Sequence, residues 1–308
     1  MILVTGGTGF VGQTLVRHLI ASGKQVRTLL RPSKKSPQLP RGISVDAAVC
    51  SLRDERGLRS VLKDVETVYH LAGSERMSSK AALHDVDVAG TQLLTSVAAQ
   101  SGVRRFVYLS HLGADRASAY PILKAKGMAE KSIINSNLAF TIVRSATIYG
   151  PGDQFTVPLA KLLRLSPGFF LLPGEGNSLL QPIWIEDVVN CLMVAAENDD
   201  LINQSVSIGG VDVLPFREVI HLIMNALEVQ RRLVSLSAPY LRLVALFMEQ
   251  FRGFPVSIYW LDYLSADRTT QLDNVPRMFG ILPARFHNQL GYLKAELRSN
   301  ARKRGYVL

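Results

Sequence analysis

The first twelve residues constrain this chain more than any other stretch. An apolar run, Met1 to Val4, reads as a central strand, and a helix is expected from Phe10 to about Ser22. Between them lie Gly6, Gly7, Gly9 and Gly12, a GGxGxxG arrangement. A tight strand-to-helix turn needs a residue without a β-carbon. A second glycine lets a pyrophosphate approach the backbone, and a third lets the helix pack close to the strand. The N–H groups at the helix start then receive phosphate oxygens. The expected contact set is Gly6, Thr8, Gly9, Phe10, Val11 and Gly12. A ligand-free glycine-rich turn is the plainer reading, but strand, turn and helix occur here in order.

Apolar strand-like runs and helical patterns alternate from residue 1 to about 150. Strands are expected at 25–30, 43–49, 65–71, 105–110 and 140–144, with helices at 52–62 and 85–100. This alternation implies an α/β fold with a doubly wound parallel sheet covered on both faces. Ligands then bind at the C-terminal ends of the strands. The fourth of these runs ends in His70-Leu71-Ala72-Gly73. His70 is expected to pack beneath a loop in which Leu71, Ala72 and Gly73 pass close to the cofactor. The second run ends at Arg31, followed by Pro32, Ser33, Lys34 and Lys35. An acid at this place would bond the ribose hydroxyls of NAD, and a base accommodates a 2′-phosphate. The choice of Arg31 favours NADP, with NAD allowed, although an arginine there can also stack on adenine.

Ser110 closes the 105–110 run on the ligand side; Tyr120 and Lys124 follow at i and i+4. On one helical face, an ammonium would lower the phenol's pKa. Tyr120 could then exchange a proton with a substrate oxygen that Ser110 also holds. The alternative is a partly buried aromatic and a surface lysine.

Beyond residue 150 the pattern is mixed. Residues 182–208 are expected to return to the core, with a hairpin-like turn at 174–177 and Asp187 as an N-cap. Residues 151–308 otherwise make a smaller lobe for substrate or docking, closed by a helix from about Ala284 to Leu297. The stretch 233–263 is rich in apolar and aromatic residues but broken by Arg242, Glu249, Gln250 and Arg252. It is expected to lid an apolar pocket, to dock on a membrane or membrane complex, or to fold back on its own lobe.

The net charge of +10 attracts phosphates, anionic membrane surfaces or nucleic acid. Residues 1–45 hold seven Lys or Arg and no acid, and a second basic cluster closes the chain. No nucleic-acid-binding signature accompanies them, so no such partner is expected. The histidines lack ligand spacing, so no metal is expected. Cys50 and Cys191 stand in apolar contexts and read as buried thiols of a reducing compartment. With a strand starting at Met1 and no uninterrupted apolar run of spanning length, the expected location is the cytoplasm, or peripherally the inner face of a membrane.

Several segments together resemble a known family. They are GGTGFVG at 6–12, HLAG at 70–73, DVAGT at 87–91, VRRFVYLS at 103–110, YPILKAKG at 120–127, IVRSATIYGPGD at 142–153 and PIWIEDVV at 182–189. They resemble an atypical, epimerase-like member of the short-chain dehydrogenase/reductase superfamily. The likeness is to the branch holding the nucleotide-binding accessory subunit of respiratory complex I and its bacterial relatives. It implies a Rossmann-type core. It also implies that Gly6, Gly9 and Gly12 bind the cofactor phosphates and that Arg31 sits at the adenosine ribose. Ser110, Tyr120 and Lys124 fall on the active triad, and Lys124 would also hold the nicotinamide ribose. Ser145, Ala146 and Thr147 would pass the nicotinamide. The chain departs from the pattern at Ser51-Leu52, Asp87 and Trp184, and in a short Ser110–Tyr120 spacing. The expected function is an NADP(H)-preferring oxidoreductase moving hydride to or from the carbonyl or alcohol of an apolar substrate. The alternative is a non-catalytic nucleotide-binding subunit or assembly factor at a membrane complex.

Overall fold

A computed structural model describes residues 1–33, 45–74, 80–237, 240, 264 and 266–303. They divide into two compact units. The first comprises Met1–Ser145, Glu186–Ile208 and Asn274–Ile281; the second draws on Ala146–Ile185, Gly209–Asp273 and Leu282–Leu308.

The first unit is built on seven parallel strands: β1 (Ile2–Thr5), β2 (Val26–Leu30), β3 (Asp46–Val49), β4 (Thr67–His70), β5 (Arg105–His111), β6 (Phe140–Ser145) and β7 (Gln204–Ile208). Their order is β7-β6-β5-β4-β1-β2-β3, a Rossmann-type arrangement. The order reverses at β1, which pairs with β2 on one side and β4 on the other. That reversal opens a crevice at the C-terminal ends of β1 and β4, where ligands of such sheets bind. The inner strands β1, β4, β5 and β6 are mostly buried because helices cover both faces, whereas the edge strand β3 is largely exposed. Leu3, Val68, Phe106 and Ile142 are fully buried among residues of α2 (Glu55–Val61) and α3 (Thr91–Gln100). Helix α1 (Phe10–Ala21) follows the glycine turn and buries Gly12, Leu15, Val16 and Leu19 at helical spacing.

Residues 85–100 do not form one regular α-helix. A short helix, Lys80–Ala82, runs into a π-helical segment, Leu83–Gly90, and only then into α3. Bonding from i to i+5 shifts the buried face. Asp87 is thereby turned inward and Val88 left half-buried. Of the irregular stretch expected at 74–82, residues 75–79 lie outside the described residues.

In the second unit, a core formed by Tyr149, Phe170, Phe216, Ile220, Phe286 and Leu293 joins helices Thr156–Leu165, Phe216–Leu227 and Tyr292–Lys303. The expected hairpin at 174–177 is not formed. Phe169–Pro173 pairs in parallel with Arg232–Leu236, a strand absent from the sequence reading. Leu179–Leu180 pairs instead with Leu214–Pro215. Asp187 is not an N-cap, because α5 (Ile185–Glu197) already begins two residues earlier. The last helix starts at Tyr292 rather than near Ala284, after a 3₁₀ turn at Phe286–Gln289. The aromatic stretch 241–263 and Arg304 of the basic tail lie outside the described residues. Among the described residues, no helix is long and apolar enough to cross a membrane.

Gly12 shows how tightly the first turn is built. A β-carbon there would stand 2.1 Å from the Gly6 carbonyl oxygen and 2.7 Å from Gly7 Cα. Both are backbone atoms that cannot swing aside. Gly12→Ala is expected to destabilise the protein by about 1–3 kcal/mol through overpacking and to weaken dinucleotide binding. Thermal melting and nicotinamide fluorescence read the two effects. An unchanged melting temperature contradicts this packing.

Candidate active site

The turn after β1 is pressed against the turn after β4. Gly6 has φ +74°, and a β-carbon on it would lie 2.7 Å from Leu71 C and O and 2.8 Å from Ala72 N. Thr5 Oγ1 accepts a hydrogen bond from Ala72 N–H at 3.3 Å. Gly9 N–H donates to Gly6 O at 2.8 Å, and Gln13 Nε2 donates to Thr8 O at 3.0 Å. Gly9 is the N-cap of α1; no side chain caps the helix and no acid stands in its first turn. Positive helix charge is thus presented without a competing carboxylate, beside glycines whose missing side chains leave the backbone bare. These residues fit a dinucleotide pyrophosphate. Thr8, Phe10 and Val11 are half-buried around the same turn. Leu71 and Ala72 are half-buried and Gly73 is exposed. Arg31 is exposed directly after β2; Lys34 and Lys35 lie outside the described residues.

The expected triad is arranged differently from its sequence reading. Helix α4 (Pro121–Ile134) has Pro121 in its first turn and Tyr120 as its N-cap. Tyr120 has φ −86° and ψ 119°, so it is extended, not helical. Its carbonyl accepts the first bond of the helix, from Lys124 N–H at 2.9 Å. Lys124 is exposed, and Tyr120 is half-buried. The inner face of α4 carries Ile122, Lys126, Ala129, Glu130 and Ile133. Gly127 lets the β5–α4 loop lie against it, because a β-carbon there would stand 2.5 Å from Asp115 C.

Ser110, buried at the end of β5, donates its hydroxyl to Glu130 Oε1 at 2.6 Å. Glu130 is itself held by Arg144 of β6, whose Nε donates to Oε1 at 3.0 Å. A hydroxyl has one hydrogen, so in this arrangement Ser110 can only accept from a ligand. Ser145 ends β6 buried; Thr147, in the second unit, is also buried.

The sequence reading missed the buried pair of Lys126 and Asp87. Their charged atoms are 3.3 Å apart, with side chains only 4% and 1% exposed. Asp87 Oδ2 also accepts from Ser74 N–H at 3.0 Å and Ser74 Oγ at 2.6 Å. The π-helical segment delivers Asp87, and the turn after β4 delivers Ser74. The Lys126 ammonium lies 5.3 Å from the Tyr108 ring centroid. Burial pushes the Tyr108 phenol up, opposed by Lys126. His70 stacks on Tyr108 with centroids 5.4 Å apart. Its Nδ1 lies 2.6 Å from Thr5 Oγ1, and its Nε2 lies 2.8 Å from Thr91 Oγ1. Full burial, and then the charge of Lys126, push the imidazole down to about 3. His70 is therefore a neutral strut beneath the crevice. A helical projection through Ile122, Ala129 and Ile133 passes through 126 and 130, not 124. That projection was the available signal. Among the described residues, no group of three or more His, Cys, Asp or Glu is placed to hold a metal ion.

Residues 6–157 match the NAD(P)H-binding family. The chain is 29% identical over 281 residues to subunit 9 of the NADH dehydrogenase [ubiquinone] 1 alpha subcomplex from Arabidopsis thaliana mitochondria, covering 87% of this chain and 70% of that protein. It is 26% identical over 317 residues to the 2-alkyl-3-oxoalkanoate reductase of Stenotrophomonas maltophilia, covering 92% and 94%. The solved structure of MoeE5 in complex with UDP-glucose and NAD superposes with a TM-score of 0.73 at 22% identity, over 97% of this chain and 99% of that one. This last likeness is one of fold.

Two outcomes follow from the buried network. Asp87→Ala deprives the buried Lys126 ammonium of its carboxylate and is expected to cost about 3–5 kcal/mol, whereas Lys124→Met should stay within about 0.5 kcal/mol of the parent. Equal urea midpoints for the two variants would contradict the pair. His70 has a native pKa below its unfolded one. Its contribution is intact above about 6.5 and is lost as pH falls from there toward 3. Stability should fall by up to about 1.4 kcal/mol per pH unit in that window from this group. The slope should flatten in His70→Gln, measured by urea unfolding at pH 7 and pH 5; identical slopes would show that His70 is not held neutral.

Proposed function

Since this chain belongs to the NAD(P)-binding, Rossmann-fold superfamily of short-chain dehydrogenases and epimerase-like proteins, and is related to the family of that NADH dehydrogenase subunit, we propose that it is an NADP(H)-preferring oxidoreductase. Its substrate is a small apolar molecule bearing a carbonyl or alcohol. The observation that carries the reading is the helix start at Gly9. It is uncapped by any side chain and opens at the strand-order reversal beside the Leu71–Gly73 turn. Catalytic NAD(P)-dependent relatives support enzymatic activity, and the reductase name of one supports a carbonyl substrate.

The Gly6–Gly12 turn holds the diphosphate. Arg31, with no acid at the end of β2, meets a 2′-phosphate. The bound nicotinamide supplies or accepts the hydride. Tyr120 passes the proton to or from the substrate oxygen. Ser110, its hydrogen committed to Glu130, accepts from a substrate hydroxyl. Lys126, rather than Lys124, provides the fixed positive charge beneath the C-terminal ends of β4 and β5. Asp87 holds that ammonium in place and compensates its burial. Ser145, buried at the end of β6, lines the path of the nicotinamide.

Titration with NADPH and NADH, followed by nicotinamide fluorescence, tests the cofactor assignment. NADPH should bind more tightly, and Arg31→Asp should reverse the order. Turnover is tested by NADPH oxidation against a panel of medium-chain 3-oxo esters and aldehydes. Tyr120→Phe should keep NADPH binding and lower turnover by about 10²–10⁴-fold, the usual worth of a positioned acid or base. Failure to bind either nucleotide overturns the whole reading. Binding without turnover across the panel favours a nucleotide-binding subunit instead, and unchanged turnover in Tyr120→Phe removes that residue from its role.

A further inference from the structure

The second unit carries a strand, Phe169–Pro173, that is apolar on both faces. In Phe169–Pro173, the side chains of Phe170 and Leu172 are buried in the core of that unit. The alternate residues point the other way. Phe169 is 45% exposed, and Val234 on the paired strand Arg232–Leu236 is 38% exposed. The register sets Phe169 beside Arg232 and Leu171 beside Val234, so these belong to one outward face. A strand that is apolar throughout is expected where both faces are covered. Here one face is left open.

The surroundings extend the patch and give it a sign. Arg232 N–H donates to Gly168 O at 2.9 Å, and Arg231 Nε donates to Leu163 O at 2.9 Å. These bonds draw the end of helix Thr156–Leu165 to the same edge. Leu165 there is 78% exposed. Arg164 and Arg232 are exposed among these residues. No Asp or Glu occurs between Gln154 and Gly174, or between Val229 and Met248. Just outside these windows stand Glu228, paired with Lys294 at 2.7 Å, and the exposed Glu175, whose carboxylate accepts from Asn177 Nδ2 at 3.1 Å.

We propose that this face docks on an anionic lipid surface, with Leu165, Phe169 and Val234 entering the headgroup–acyl boundary and Arg164 and Arg232 meeting lipid phosphates. Apolar tips ringed by arginine, on a chain of net charge +10, match what binds such surfaces. A second copy of the chain would set arginine against arginine. The proposal does not depend on the oxidoreductase reading, since none of these residues is placed at the dinucleotide turn.

Sedimentation of the full chain with vesicles of phosphatidylglycerol and phosphatidylcholine, against phosphatidylcholine alone, tests it. Binding to the anionic vesicles should be at least tenfold stronger and should weaken with salt. Arg164→Glu with Arg232→Glu should lower it by more than tenfold, since each basic residue near such a surface is worth about fivefold. Phe169→Ser with Val234→Ser should lower it comparably, with NADPH binding retained as the measure of an intact fold. No preference for anionic vesicles overturns the proposal. So does vesicle binding that persists in both double variants. A drop in melting temperature in Phe169→Ser with Val234→Ser, with vesicle binding unchanged, shows instead that another part of the chain covers the face. Concentration-dependent dimers lost in that variant assign the face to a second copy, and tight capture of an acidic protein without vesicle binding assigns it to a protein partner.

Discussion

Two backbone turns that meet without side chains between them set the geometry of the first unit. Gly6 lies so close to Leu71 and Ala72 that no β-carbon fits, and Gly12 lies equally close to Gly6. This contact fixes the start of α1 relative to the ends of β1 and β4. The uncapped helix start is thereby held at the place where strand order reverses. Beneath the contact stand Thr5, His70 and Thr91, bonded in series. Burial keeps His70 uncharged, so the strut brings no cation under a site that already contains Lys126.

A second layer of buried charge organises the other side of the crevice. Lys126 and Glu130, one turn apart on α4, reach in different directions. Lys126 goes to Asp87 on the π-helical segment, and Glu130 goes to Ser110 and Arg144 on β5 and β6. Each buried ion has its opposite charge at hand, which is the condition for keeping ions inside a protein. The arrangement locks α4 against both the sheet and the segment before α3. It also decides the direction in which Ser110 can hydrogen-bond.

Much of this was legible from residues alone. The inner parallel strands are short apolar runs because they are covered on both sides, and α1 is announced by the glycines before it and the apolar spacing after it. Pro121 also carried usable information. Proline favours the first helical position, which makes Tyr120 the cap rather than a residue of the helix body. Other features depended on distant partners. Asp87 and Lys126 are 39 positions apart, and a local period gives no reason to bury either. The π-helical turn that rotates Asp87 inward breaks the 3.6-residue period of the helix expected over 85–100. Parallel pairing of Phe169–Pro173 with Arg232–Leu236 joins strands some sixty residues apart, whereas the glycines at 174 and 176 suggested a local hairpin.

The central claim is that bare backbone between Gly6 and Gly12 grips a diphosphate. Hydrogen–deuterium exchange of the full chain, with and without saturating NADPH, tests it most directly. Protection should rise in peptides covering Thr5–Thr14 and Leu71–Ser74, and exchange elsewhere should change less. Saturation by NADPH with exchange in both segments unaltered would contradict the account.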